Sequence, residues 1–229
     1  ENWNVSNVKD MSYMFQFCYD LNCDLSSWDV SNVTNMKYMF ACCEKFNCDL
    51  LNWNVSNVTN MSHMFFYCEN FDINCFKSWD VSNVENTSYM FYYCNNFDCD
   101  LSNWDVSNVT DMTSMFNGLT SLTSIDVSSF DTSNVYNMEG MFSSCNSITS
   151  LTLSNFNTSN VTSMHGMFYE CSGLTSLDVS NFNTSNVTYM TSMFYGCSGL
   201  KSLDVSNFDT SNVTDMGSMF SSCNSLTSL

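Results

Sequence analysis

Three sets of side chains recur at spacings that could do chemistry. The first is acidic: Asp24, Asp49, Asp100, Asp126, Asp178 and Asp204 each stand four residues before an aromatic residue, and Cys75 and Thr152 interrupt the series. Carboxylates brought into register at a strand spacing of roughly 4.8 Å repel by about 1 kcal/mol in water, and several times more at a lower effective dielectric. Solvent, raised pKa values or a bound cation must relieve that repulsion. Ser102, Ser128, Ser180 and Ser206 follow two residues later and add hard oxygens, so the column reads either as a weak Ca²⁺ site between Asp pairs or as a solvated polar face.

The second set is thiol. Cys18, Cys43, Cys68, Cys94, Cys145, Cys171, Cys197 and Cys223 occupy one position of a recurring pattern, which Leu119 fills once. An aliphatic residue serving there points to core-filling thiols. On helices packed roughly 8–10 Å apart, equivalent Cα atoms would exceed the ~7 Å reach of a disulfide, so a ladder of bridges is not expected. Cys23, Cys48 and Cys99 lie on an expected strand, where later repeats carry Leu151, Leu177 or Leu203. The pairs Cys18–Cys23, Cys43–Cys48 and Cys94–Cys99 are spaced either for short disulfides within a repeat or for separate thiols. Zinc is disfavoured, because Cys42, Cys43 and Cys48 have no neighbouring His and lack paired C-x₂₋₄-C spacing.

The third set is aromatic and confined to the first half. Tyr13, Tyr38, His63 and Tyr89 share one column, Phe17, Tyr67 and Tyr93 another, and Phe66 and Tyr92 stand beside them. In later repeats the first two columns hold mainly Ser and Gly. Such a patch reads either as a contact surface or as rings partly buried against adjacent turns. Catalysis has little to work with: the two His, His63 and His165, stand at variable positions with no unique nucleophile or carboxylate beside them, and no phosphate-binding Gly-rich loop occurs. The chain is expected not to be an enzyme.

The elements that position these columns follow from a repeat. Aromatic anchors stand at Trp3, Trp28, Trp53, Trp79, Trp104, Phe130, Phe156, Phe182 and Phe208, at intervals of 25 or 26 residues. Val follows every anchor by five residues and Met-Phe follows by eleven and twelve. In CSGLTSLDVSNF (171–182), Leu177 and Val179 alternate with Asp178 and Ser180, the pattern of a half-buried strand. In SNVTDMGSMFSSC (211–223), Val213, Met216, Met219, Phe220 and Cys223 fall at helical spacing after a Ser-Asn pair suited to capping.

One strand and one helix in 26 residues cannot bury their apolar faces alone, so repeats must stack. The expectation is an α/β solenoid of the leucine-rich-repeat kind, with one short parallel strand and one short helix in each of about nine repeats. At roughly 4.8 Å per strand its body would be on the order of 40 Å long. Residues 1–229 read as one uncapped array, an excerpt of a longer one, in two blocks: 1–116, Trp- and Cys-rich with mostly 25-residue repeats, and 117–229, Phe- and Thr-rich with 26-residue repeats.

With 23 Asp plus Glu against five Lys, the net charge of −18 opposes binding to nucleic acid or to anionic lipid. No apolar run reaches the ~18–20 residues of a membrane span, and no signal-peptide pattern opens the chain. Turns must be built without Pro and with only seven Gly, so Asn, Asp, Ser and Thr are expected to make them. Six of the twelve N-x-[ST] sequons arise from the repeated SNVT segment, whose Ser and Asn are expected to serve helix caps and turns, although glycosylation is open on a eukaryotic secretory route.

LKSLDVSNFDTSNVTDMGSMFSSCNSL (200–226) and its variants along the whole chain resemble the BspA-like leucine-rich-repeat surface proteins, with their 26-residue bacterial surface-protein repeat. That resemblance implies a secreted or surface-exposed solenoid on a cell or virion, engaged in adhesion to protein or glycan on another surface. It supplies no catalytic motif and no cofactor. The alternative is a structural fibre, stalk or coat component that packs laterally against identical copies.

Overall fold

The computed structural model describes residues 3–70 and 76–229; Cys75 lies outside them. Parallel bridges join Asp10 to Asn35, Asn35 to Asn60, Asn60 to Asn86, and so on through Asp111, Asn137, Ser163 and Tyr189 to Asp215. Each turn of the chain therefore sits on the previous one in fixed register, and the array is a solenoid of nine rungs.

The segments expected as helices are not helical, and the described residues contain no continuous strand either. In the first repeat Met14 N–H donates to Met11 C=O, Gln16 to Tyr13, Cys18 to Phe15 and Leu21 to Cys18, a run of overlapping three-residue turns. The intervening amides point to the next rung: Met11 N–H donates to Asn35 C=O, Tyr13 to Lys37, Phe15 to Met39 and Phe17 to Ala41. The same four bonds recur at all eight junctions, at 2.6–3.2 Å. An α-helix would need those amides for its own i−4 carbonyls, and here half of them are spent between rungs. Two residues in every repeat also have left-handed φ, from Tyr13 (61°) and Phe17 (62°) to Ser218 (58°) and Ser222 (61°), which no right-handed helix tolerates.

The sequence reads as helical because the inward residues fall at turn spacing. Val8, Met11, Met14, Phe15 and Cys18 recur at steps of three and four in both geometries. The expected strand fares similarly. At 177–182, Phe182 N–H folds back to Val179 C=O, and among the described residues the one bridge in that part of a repeat is Ser202 with Ser228.

Acidic and amide side chains make the turns, as the shortage of Pro and Gly requires. Asp29 Oδ1 accepts both the N–H and the hydroxyl of Ser31, and Asn54 and Asp80 do the same for Ser56 and Ser82. Asn60 and Asp111 cap the start of the turn run by accepting from Ser62 and Thr113. The neighbouring Asn column binds rungs together: Asn32 Nδ2 donates to Ser6 C=O, Asn57 to Ser31, Asn108 to Ser82, Asn160 to Ser133 and Asn212 to Ser185, all at 2.7–2.8 Å. The sequon amides thus serve the junction between repeats and not a helix cap.

Inside, the side chains stack as the backbone does. Phe15, Phe40, Phe65, Phe91, Phe116, Phe142, Phe168, Phe194 and Phe220 form one file, with centroids 5.5–6.1 Å apart and planes within 17°. Val, Met and Cys files flank it, and in the middle rungs they are fully buried.

The two blocks solve one polar problem differently. Trp53 and Trp104 donate the indole N–H to the carbonyls of Leu25 and Phe76, three residues before the preceding anchor. Where Phe replaces Trp, Asn155, Asn181 and Asn207 reach the equivalent carbonyls of Val127, Leu153 and Val179.

Two stability predictions follow from this ladder. Asn160→Ala removes one inter-rung bond and should cost about 1 kcal/mol in urea unfolding; an unchanged midpoint would show that the Asn file contributes nothing. Ser192→Gly relieves a left-handed Ser at φ 57°, worth about 1–2 kcal/mol, against roughly 0.5–1 kcal/mol of added unfolded-state entropy. A Tm that rises by a few degrees is expected, and a fall would mean that Ser192 is unstrained.

Candidate functional site

The aromatic columns become ladders on the turn face. Tyr13 stacks on Tyr38 at 5.0 Å and 11°, Tyr38 on His63 at 4.0 Å and 18°, and His63 on Tyr89 at 4.6 Å and 17°. Tyr67 stacks on Tyr93 at 5.0 Å and Phe66 on Tyr92 at 4.8 Å, with Tyr92 and Tyr93 also in contact at 4.8 Å. Tyr13 and Phe17 are about half exposed, at 49% and 55%, whereas Tyr38, Phe66, Tyr89, Tyr92 and Tyr93 are partly covered by their neighbours. Within the stacked runs the ring faces cover one another, so solvent there meets mainly ring edges and phenol hydroxyls. The rings from Tyr13 to Tyr93 lie side by side and partly cover one another.

The backbone beneath these rings is costly. Tyr13, Tyr38, His63, Tyr89, Phe17, Tyr67 and Tyr93 all have left-handed φ, between 55° and 62°, a region bulky side chains avoid at roughly 1–2 kcal/mol per residue. In the second block the same positions hold Gly118, Gly140, Gly166 and Gly196, Ser residues and Glu170. That alternation of Gly with Tyr in one column was the available sequence signal for the left-handed backbone. Gly118 also closes the ladder: a Cβ there would lie 2.5 Å from the Tyr93 ring, so the ring rests on the bare glycine.

Stacking shifts the protonation of the ladder. Burial, reinforced by the Lys37 charge, pushes His63 down to about 4, so it is neutral at pH 7. Burial, then neighbouring phenols, raises Tyr38 and Tyr92. Lys37 lies over the Tyr38 ring at 5.5 Å and is the cation nearest this face, a residue the column reading passed over.

The acidic column is a turn-making column. Asp24, Asp100, Asp126, Asp178 and Asp204 each accept from the backbone N–H of the Ser two residues on, at 2.9–3.0 Å, and Asp49 accepts from Leu51. The Ser hydrogen bonds hold Asp24, Asp126, Asp178 and Asp204 below the ordinary carboxylate value, and repulsion from Asp100 on Asp126 or from Asp204 on Asp178 is the weaker effect. The raised pKa values that stacked carboxylates could have shown are therefore not found. Asp100 is lowered furthest, by Ser102 and then by Lys77, whose ammonium stands 3.0 Å away. Among the described residues no three His, Cys, Asp or Glu side chains converge as a metal would need.

The cysteine column is a hydrogen-bonded file. Cys43 Sγ donates to Phe15 C=O, Cys68 to Phe40, Cys94 to Phe65, Cys145 to Phe116, Cys171 to Phe142, Cys197 to Phe168 and Cys223 to Phe194, at 2.9–3.1 Å. Burial pushes Cys43 and Cys145 up to about 12, far from the thiolate that reactive cysteines present. The pairs Cys43–Cys48 and Cys94–Cys99 are not bridged here, because Cys43 and Cys94 face the preceding rung; Cys18 and Cys23 carry separate thiols. The helix spacing that argues against a ladder of bridges does not apply, since rungs lie at sheet spacing, yet the thiols of this column from Cys43 to Cys223 are turned to carbonyls instead of to the next sulfur.

No curated protein matches this sequence. Among solved structures, a leucine-rich repeat protein from Bacteroides ovatus is similar at 19% identity and a TM-score of 0.41, over 97% of this chain and 70% of that one. The family described as Mycoplasma protein of unknown function, DUF285, matches residues 1–91, 73–172 and 145–228, which takes in nearly the whole array. The chain therefore belongs to the DUF285 family of repeat proteins.

Proposed function

We propose that this solenoid is a non-catalytic recognition module of the BspA-like surface type, which engages protein or glycan on another surface through its aromatic turn face. One observation carries the reading. Seven ring-bearing residues are held in left-handed backbone on a partly exposed face where the second block does the same structural work with Gly and Ser at every position but Glu170. Strain kept where the fold has a cheaper solution in its own later repeats points to use. Tyr is also suited to contact surfaces, since a rigid ring with a polar tip loses little entropy on docking.

The resemblance to BspA-like surface proteins carries with it an extracellular, cell-surface or virion-surface location. The excess of 23 acidic residues over five Lys favours a cationic or neutral partner and repels nucleic acid. Buried thiols hydrogen-bonded to carbonyls favour a binding role over cysteine chemistry.

The test is the quadruple variant Tyr38→Ser, Tyr67→Ser, Tyr89→Ser, Tyr93→Ser, which converts the ladder to the second block's pattern. The circular dichroism spectrum should be retained, while retention on a printed array of extracellular proteins and glycans should fall at least tenfold. Undiminished retention would overturn the proposal. Sedimentation of the same pair covers the alternative: a parent protein that assembles, and a variant that is monomeric but still binds the array, would assign the ladder to lateral packing.

A further inference from the structure

The aromatic ladder stops at the block boundary, and what replaces it is a hollow. Ser114, Gly140 and Gly166 continue the column of Tyr13 and Tyr89, Asn117 and Ser143 continue that of Phe66 and Tyr92, and the removed rings leave a cavity of about 260 Å³. It lies a little below the roughly 300–1,000 Å³ of pockets that take drug-sized ligands, which suits one ring of a small polar molecule. Gly166 forms an open part of its floor, since a Cβ there would meet nothing nearer than Tyr169 Cβ at 3.5 Å.

Tyr169 walls the hollow on the side of the later repeats. One face of its ring is covered by Tyr195, at 4.8 Å and 7°. The other looks along the column toward Ser143, which has no ring to cover it. Tyr93, by contrast, is seated on Gly118.

Polar groups line the rest, and they are uncommitted. Almost every Asn and Asp column in this protein is spent on a turn or on the next rung. By contrast, the side chains of Glu139, His165 and Asn117 make no hydrogen bond or ion pair with other described residues, yet all three line this hollow. Glu139 and His165 are successive members of one column, so a carboxylate and an imidazole stand side by side at rung spacing.

We infer that this hollow binds a single neutral pyranose ring, the terminal sugar of a glycan, with its apolar face on Tyr169 and its hydroxyls on Asn117, Glu139 and His165. A sugar hydroxyl both donates and accepts, and the lining offers both: carboxamide, imidazole and two Ser hydroxyls beside one carboxylate. An anionic sugar would face Glu139 and a net charge of −18. An ammonium group would use only the acceptors and leave the Asn117 amide without a partner. The inference deepens the recognition reading and rests on it, but it uses residues outside the aromatic ladder.

Saturation-transfer NMR of the intact chain with methyl β-D-glucopyranoside, methyl β-D-galactopyranoside and N-acetylglucosamine tests it, with lysine as the amine probe. At least one sugar should receive saturation, and titration should give a dissociation constant in the millimolar range. Gly166→Tyr restores the first-block residue at a φ that Tyr already adopts there, and Tyr169→Ser removes the platform. Each should weaken the sugar at least tenfold with Tm retained, whereas Glu139→Gln, which keeps an acceptor, should change it less than about threefold. Absence of transfer to all three sugars, equal binding in Gly166→Tyr, or lysine binding that Glu139→Gln abolishes while sugars stay silent would overturn the inference. Array binding that survives in Gly166→Tyr but is lost in the ladder variant would leave the recognition reading intact, so the two failures are separable.

Discussion

Everything in this molecule depends on four backbone hydrogen bonds per junction that hold each rung at sheet distance from the next. Met11, Tyr13, Phe15 and Phe17 donate to Asn35, Lys37, Met39 and Ala41, and the pattern does not vary along the array. A fixed rung spacing turns every sequence column into a physical file. Phe stacks on Phe, Asn reaches the preceding carbonyl, and each thiol finds the Phe carbonyl behind it. Stability is then nearly a sum over identical junctions, as in other one-dimensional repeat proteins.

That constraint also sets the local backbone. If alternate amides must point to the next rung, the remaining ones must close turns within their own rung, and the chain cannot follow a right-handed helix through the segment. Two left-handed residues per repeat reconcile the demands. Gly meets them most easily, Ser acceptably and Tyr at a cost. The exchange of residue types at these positions between the blocks is therefore the place where function can be written without changing the fold. The first block writes a ring ladder there, and the junction at Ser114, Gly140 and Gly166 writes a polar hollow.

Electrostatics on the acidic face follows the same logic. Stacked Asp side chains would repel if they had nothing else to do, but the N–H and hydroxyl of the following Ser outweigh the next carboxylate. A column that resembles a cation site in one dimension is used for turn closure in three.

By itself the sequence determined the repeat length, the nine anchors, the inward Val, Met, Phe and Cys files, the non-Pro turns and the contiguity of Tyr13, Tyr38, Tyr89 and their neighbours, because each is a matter of spacing. It could not distinguish a helix from a run of three-residue turns, since both bring Met11, Met14, Phe15 and Cys18 to one side. Only the tertiary structure decided that, by showing where the alternate amides go. It likewise decided that Asp178 serves Ser180, that Cys94 faces Phe65 and not Cys99, and that Glu139, His165 and Asn117 meet beside an open Tyr169 face. The reason is common to all of them: a hydrogen-bond partner one rung away is about 25 residues distant in sequence, and no local pattern records which of several nearby groups it will choose.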